Sequence, residues 1–188
     1  QNKENFYNSI AEKFSEYKNE YDTNRRKEIL IDNYLSSIEY KDKKILDCGC
    51  GDGYFISEIS KICKNVNISG CDIAINLIKI AKKTNKQVNF FEHNINKNKT
   101  SNIYDIIISS EVIEHCEDPK KALNNICNSV SINGYLILST PNKLWNGVTK
   151  IASLLKLRPF QGHENFLTYK EIIKTLDENN FKLLKYNG

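Results

Sequence analysis

Short apolar runs alternate with longer amphipathic stretches through most of this chain, and that alternation limits the folds open to it. "KKILDCG", "VNISGCDI", "QVNFFEHN", "YDIIISS" and "NGYLILSTP" read as strands, with "FKLLKY" (181–186) as a sixth. "YDIIISS" is almost continuously apolar, the pattern of a strand covered on both faces of a parallel sheet. Between the strands, "GYFISEISKIC", "AINLIKIAKKT", "DPKKALNNICNSV" and "TYKEIIKTLDENN" read as helices. Asp118 and Thr168 stand at N-cap positions, and Pro119 lies in a first turn. Two further helical patterns, 4–19 and 24–38, come first, with Phe6, Ile10, Phe14 and Tyr17 on one face of the earlier one. Repeated strand–helix–strand units imply right-handed crossovers and an α/β, doubly wound, mostly parallel sheet. Ligands of such a sheet sit at the carboxyl ends of the strands, where the strand order reverses. With 188 residues and neither a repeat nor a low-complexity linker, 1–188 reads as a single domain.

Charge and cysteine content narrow the function classes. Lys plus Arg is 27 against 23 for Asp plus Glu, a net +4 spread along the chain without a basic stripe, so nucleic acid is disfavoured as a partner. No apolar run approaches the roughly 20 residues that cross a bilayer, and no secretory signal is visible. The six cysteines, at 48, 50, 63, 71, 116 and 127, form no C-x-x-C pair, so a zinc ribbon lacks its spacing. They read as reduced thiols of a cytoplasmic protein.

The segment "ILDCGCGDGYF" lies at a strand end. Gly49, Gly51 and Gly53 allow a tight turn and close approach of a ligand, and the following helix offers free N–H groups. Their G-x-G-x-G spacing is not the G-x-G-x-x-G of a dinucleotide site. Asp47, directly before the loop, would repel a pyrophosphate and attract a cationic amino-acid group. A plain strand-to-helix turn would not need three glycines behind an aspartate. Asp72 ends the second strand, where a carboxylate accepts a ribose diol; its alternative role is to cap the helix that follows. A ligand with an amine and a ribose but no phosphate suggests S-adenosylmethionine.

At these residues a resemblance becomes plain. "ILDCGCGDGYF", "SGCDIAINLIKIA", "FFEHNI", "YDIIISSEVIEHCEDPKKAL" and "GYLILSTPN" resemble, in order, the motifs of class I S-adenosylmethionine-dependent methyltransferases, over roughly 40–185. They are most similar to the type-11 group that includes ubiquinone-biosynthesis O-methyltransferases. The resemblance implies a Rossmann-like fold and a small-molecule acceptor methylated on oxygen. It implies that Asp47, Gly49, Cys50 and Gly51 hold the methionine end of the cofactor, Asp72 the ribose, and Ile73 the adenine. Asn94 stands where the family often has an aspartate facing the adenine amino group, and Ser110 and Glu111 would flank the methionine portion. "FYNSIAEKFSEY" resembles the family's lid, making 1–40 a helical lid segment with Tyr7 and Tyr17 as candidates to cover the cofactor; core packing is the alternative for that stripe. The family sheet ends with a seventh strand for which no residues follow Gly188, and the chain opens on Gln1 with no Met, so truncation at both ends is expected.

Methyl transfer needs in-line positioning and desolvation, and an oxygen acceptor also needs a base or a metal for its proton. If "EVIEH" is helical, Glu111, Glu114 and His115 share a face. With His163 they would form a divalent site for Mg or Zn, similar to that of small-RNA ribose 2′-O-methyltransferases. His115 and His163 are also the candidate catalytic bases. The alternative sets Glu111 near the cofactor, Glu114 in solvent and His115 under a loop. Residues 143–162, "KLWNGVTKIASLLKLRPFQG", form a substrate-side insertion that is apolar with added positive charge: a lid over the acceptor, a peripheral membrane contact, or an extra helix on the core. The leading expectation is a small-molecule methyltransferase. The alternatives are a metal-dependent RNA ribose 2′-O-methyltransferase and a non-catalytic S-adenosylmethionine-binding module. A nucleotide-dependent oxidoreductase is disfavoured by Asp47 and the glycine spacing.

Overall fold

The computed structural model describes residues 3–141 and 164–187. After the N-terminal helix α1 (Lys3–Ile10) and a 3₁₀ segment (Ala11–Tyr17) comes α2 (Glu20–Lys27), which runs on as a π-helical turn (Glu28–Tyr34) and a 3₁₀ turn (Leu35–Ser37). The βα units follow: β1 (Lys44–Cys48), α3 (Tyr54–Ile62), β2 (Asn67–Asp72), α4 (Ile75–Thr84), β3 (Asn89–Glu92), β4 (Tyr104–Ser110), α5 (Pro119–Cys127), β5 (Val130–Ser139) and α6 (Tyr169–Glu178). Among the described residues the five strands form one parallel sheet in the order β3-β2-β1-β4-β5. The order reverses between β1 and β4, which puts the ligand crevice over the carboxyl ends of β1, β2 and β4.

Successive residues of the central strands feed opposite faces of the sheet, which explains their unbroken apolarity. Ile45, Ile106 and Ile108 join the core under α3 and the π-helical turn, while Leu46 and Ile107 join the core under α5. All five are fully buried, each contributing about 2 kcal/mol of hydrophobic free energy. The helix ends follow local chemistry. Asp118 accepts the Lys121 amide at 2.9 Å with Pro119 opening α5, and Thr168 and Glu171 form a reciprocal capping box on α6.

Three expectations are corrected. The 4–19 helix tightens at Ala11 into 3₁₀ geometry, whose three residues per turn rotate the apolar stripe; Phe6 is buried but Tyr17 is 47% exposed. The second helix starts at Glu20 rather than 24, because Asn19 caps it by accepting the Asp22 amide. The expected sixth strand, 181–186, has no ladder among the described residues. Instead Lys185 Nζ donates to Ser37 Oγ at 3.5 Å and lies over the Tyr34 ring. No helix among the described residues is long and apolar enough to cross a membrane.

Candidate functional site

The loop after β1 is a cradle built from backbone. Gly49, Gly51 and Gly53 have φ of 82°, 53° and 84°, left-handed values that suit glycine. The amides of Gly49 and Cys50 both donate to the Cys71 carbonyl, at 2.8 and 2.9 Å, so the chain turns on the tip of β2. A Cβ on Gly49 would stand 2.2 Å from Val112 Cγ2, and one on Gly51 would stand 3.0 Å from the Phe14 ring. The loop is thus closed from the β4 side by Val112 and from the N-terminal segment by Phe14.

Asp47 is 1% exposed, and its Oδ2 has no hydrogen-bond partner. Burial, reinforced by Asp72, pushes its pKa up to about 7; Lys18 opposes that rise and Asp52 adds to it. A carboxylate held in this way fits the ammonium of an amino-acid ligand, which would supply the missing partner. Asp72 is tied to the cradle: its Oδ2 accepts the Gly51 amide and its Oδ1 the Ala74 amide, both at 2.9 Å. The second bond is a local turn rather than a cap, since α4 begins after Ala74 without a side-chain cap. A carboxylate has about four acceptor sites, so two hydrogen bonds leave capacity for a ribose diol. Ile73 is half-buried beside it. Asn94 directs its Oδ1 to the Asn96 amide, which draws that oxygen into a local turn.

The thiols belong to the packing. Cys48 and Cys50 are buried and unbridged, and they point into different cores, Cys48 under α5 and Cys50 under α3. A hydrogen bond with Cys71, together with burial, pushes the Cys48 thiol well above its usual range; burial does the same for Cys50. Protonated buried thiols are inert as nucleophiles and poor as metal ligands.

At the end of β4, Ser110 Oγ lies 3.1 Å from Ser139 Oγ and accepts from Arg26 Nη1 at 3.3 Å. Ser139 also donates to Glu111 Oε1 at 3.2 Å. Glu111 is left-handed (φ 57°), so "EVIEH" is not one helix; only Ile113–His115 form a 3₁₀ turn. Glu111 and Glu114 nevertheless lie close enough for their charges to act on each other, while Glu114 Oε1 is buried with no hydrogen-bond partner. Burial, and then the Glu111 charge, hold Glu114 protonated well above the usual carboxylate range. Thr140 donates to Glu114 Oε2 at 3.2 Å. The His115 ring meets Tyr7 edge-on at 5.9 Å, and its Nδ1 is 3.9 Å from Glu164 Oε1. No group of three or more His, Cys, Asp or Glu side chains among the described residues is arranged to hold a metal ion. His163 and the 143–162 segment lie outside the described residues.

Three participants carry no signal in the local sequence. Arg26 comes from α2 and Lys18 from the turn before it, and Val112 follows Glu111 in a loop. Arg26 is half-buried and brings a guanidinium to the mouth of the crevice, where its charge lowers the pKa of Glu111 against the effect of burial.

Comparison with known proteins agrees with this geometry. A family model described as a methyltransferase domain matches residues 21–186. The ubiquinone biosynthesis O-methyltransferase of Rickettsia canadensis is 26% identical over 87% of this chain and 73% of its own length. The malonyl-[acyl-carrier protein] O-methyltransferase of Bacillus anthracis is 32% identical over 52% of this chain, and the match spans only 37% of that relative. Among solved structures, the magnesium protoporphyrin IX methyltransferase of Synechocystis, with bound S-adenosylhomocysteine, superposes with a TM-score of 0.64 at 19% identity, covering 80% of this chain and 69% of that one. An S-adenosylmethionine-dependent methyltransferase from Mesorhizobium loti gives 0.66 at 15%, covering 80% of each. The strand order, the cradle behind Asp47 and the extent of the family match lead to one conclusion: the chain belongs to the class I S-adenosylmethionine-dependent methyltransferases.

Proposed function

We propose that this protein transfers a methyl group from S-adenosylmethionine to an oxygen of a small-molecule acceptor. The observation that carries the reading is the buried Asp47 carboxylate, with one oxygen unpartnered, behind a loop of three left-handed glycines. In this reading Asp47 binds the ammonium of the cofactor's methionine and Arg26 its carboxylate. Asp72 takes the ribose hydroxyls, with Ile73 against the adenine, while Gly49, Cys50 and Gly51 lend backbone. The bound sulfonium supplies an activated methyl group, so the work left to the protein is orientation and exclusion of water. His115, between Tyr7 and Glu164 on the acceptor side, takes the acceptor's proton.

Oxygen as the accepting atom is supported by the two relatives whose names are O-methyltransferases. A Mg or Zn ion draws no support from the described residues, and no step is assigned to one. We also read residues 1–188 as one methyltransferase domain, which the family match over 21–186 supports. Calorimetric titration of S-adenosylhomocysteine into the folded protein, followed by transfer of labelled methyl to matched phenol and aniline acceptors, tests the reading. Binding with transfer to the phenol supports it. No binding removes the cofactor assignment, and transfer to the aniline alone removes the oxygen assignment.

A further inference from the structure

A single ammonium joins the N-terminal segment to the cradle. Lys18 follows the 3₁₀ segment, and its Nζ lies 2.5 Å from Asp52 Oδ1. It also sits over two rings, 5.1 Å from the centroid of Phe14 and 5.2 Å from that of Tyr54. Asp52 stands between Gly51 and Gly53 in the cradle loop and accepts the Tyr54 amide at 3.3 Å. Phe14 is the ring packed at the Gly51 position. The pair is mostly shielded from water, at 23% and 17% side-chain exposure, so its charges are felt further than those of a surface pair.

Both charges reach the floor of the site. Lys18 favours ionisation of Asp47, whereas Asp52 opposes ionisation of both Asp47 and Asp72. The cradle therefore contains three carboxyl groups, with the lid segment contributing a cation that offsets them. Resting on the methyltransferase reading above, we propose that the Lys18–Asp52 pair positions the lid and sets how strongly the cradle prefers the methyl donor over its demethylated product.

The reason is a difference of one charge. S-adenosylmethionine carries a sulfonium, an ammonium and a carboxylate, for a net +1. S-adenosylhomocysteine has a neutral thioether in place of the sulfonium and a net charge of zero. Their remaining contacts are shared, so the ratio of their affinities reports the electrostatic potential at the sulfur. In both complexes the ligand's ammonium keeps Asp47 ionised, so removing Lys18 leaves Asp52 uncompensated and makes the cradle more negative. Removing the Asp52 charge leaves Lys18 uncompensated and makes it more positive.

Calorimetric dissociation constants for both ligands decide the matter, measured on the wild type, Lys18→Met, Lys18→Arg, Asp52→Asn and the Lys18→Met/Asp52→Asn double variant. Methionine keeps an unbranched apolar stem against the two rings while losing the charge. The preference for S-adenosylmethionine should rise by roughly threefold in Lys18→Met and fall by roughly threefold in Asp52→Asn. It should return close to the wild-type ratio in the double variant and stay there in Lys18→Arg. The shifts should shrink at high salt. If both single variants weaken the two ligands by one common factor, the pair is a mechanical clasp only and the proposal is wrong. If Lys18→Met does not fold, Asp52→Asn decides by the direction of its ratio. A wild-type protein that binds neither ligand overturns the methyltransferase reading, a result distinct from binding both with an unmoved ratio.

Discussion

The Asp72 carboxylate accepts the Gly51 amide at 2.9 Å, so the end of β2 holds the glycine loop that leaves β1. One side chain thereby does two jobs. It fixes the shape of the cradle before any ligand arrives, and it keeps acceptor capacity at the position where a ribose diol would lie.

Replacing Asp72 with alanine therefore affects fold and binding together. Loss of hydrogen bonds to the Gly51 and Ala74 amides should cost about 2 kcal/mol, since charge-assisted bonds are the stronger kind. Affinity for S-adenosylhomocysteine should drop by about tenfold or more, given the loss of a bidentate acceptor. Denaturant melts and calorimetry measure the two effects separately; intact affinity in a destabilised variant would leave Asp72 with only its loop-holding role.

Gly49 is restricted by space as well as by backbone. An alanine there meets Val112 Cγ2 at 2.2 Å and must adopt a left-handed φ of 82°. Gly49→Ala should destabilise by about 2 kcal/mol, the scale of overpacking plus left-handed strain. Adding Val112→Ala should recover the steric part but not the backbone part. Full recovery in the double variant would mean that the conformation at Gly49 costs nothing.

The raised Asp47 pKa predicts opposite pH trends for stability and binding. Its folded pKa of about 7 lies above the ordinary value of 3.8, so the folded state binds its proton more tightly. The associated stability is fully present below pH 3.8 and is lost as pH rises through about 7. Cofactor affinity should move the other way, increasing from pH 6 to 8 as the ionised carboxylate meets the ammonium. Asp47→Asn should flatten this part of the stability profile, melt higher than the wild type at pH 8 without ligand, and bind poorly. Melting curves and titrations across that range are the check.

Cys48 and Cys50 sit at the cradle but point into two cores. Changing both to alanine should leave cofactor affinity within about twofold, because the loop offers its backbone. Each truncation leaves a small cavity and should cost about 1 kcal/mol. A large fall in affinity without unfolding would show that the thiols touch the ligand.

Much of this was readable in the chain because the signals are local. The switch from short unbroken apolar runs to 3.6-residue apolar periodicity marks the βα units. Asp118 and Thr168 mark helix starts, and the run Asp47-x-Gly49-x-Gly51-x-Gly53 marks a backbone that must turn tightly behind a carboxylate. Tyr17 shows where periodicity fails, since a continuous helix would bury its stripe and the 3₁₀ segment rotates it outward. The expected strand at 181–186 shows another limit: strand propensity makes a strand only where a neighbour completes the ladder.

Pairings across the fold were decided by tertiary structure alone. Nothing near Lys18 announces Asp52, nothing near Arg26 announces Ser110, and the contact of Val112 with Gly49 joins loops from two different strands. His115 meets Tyr7 and Glu164, and the left-handed residue at 111 breaks the helical spacing on which a shared face of Glu111, Glu114 and His115 depended. Local sequence determines which backbone shapes are cheap. Side-chain partnerships 34 to 84 residues apart are set by how the crossovers bring the strand ends together, because the packing energy that selects them exists only once the sheet has formed.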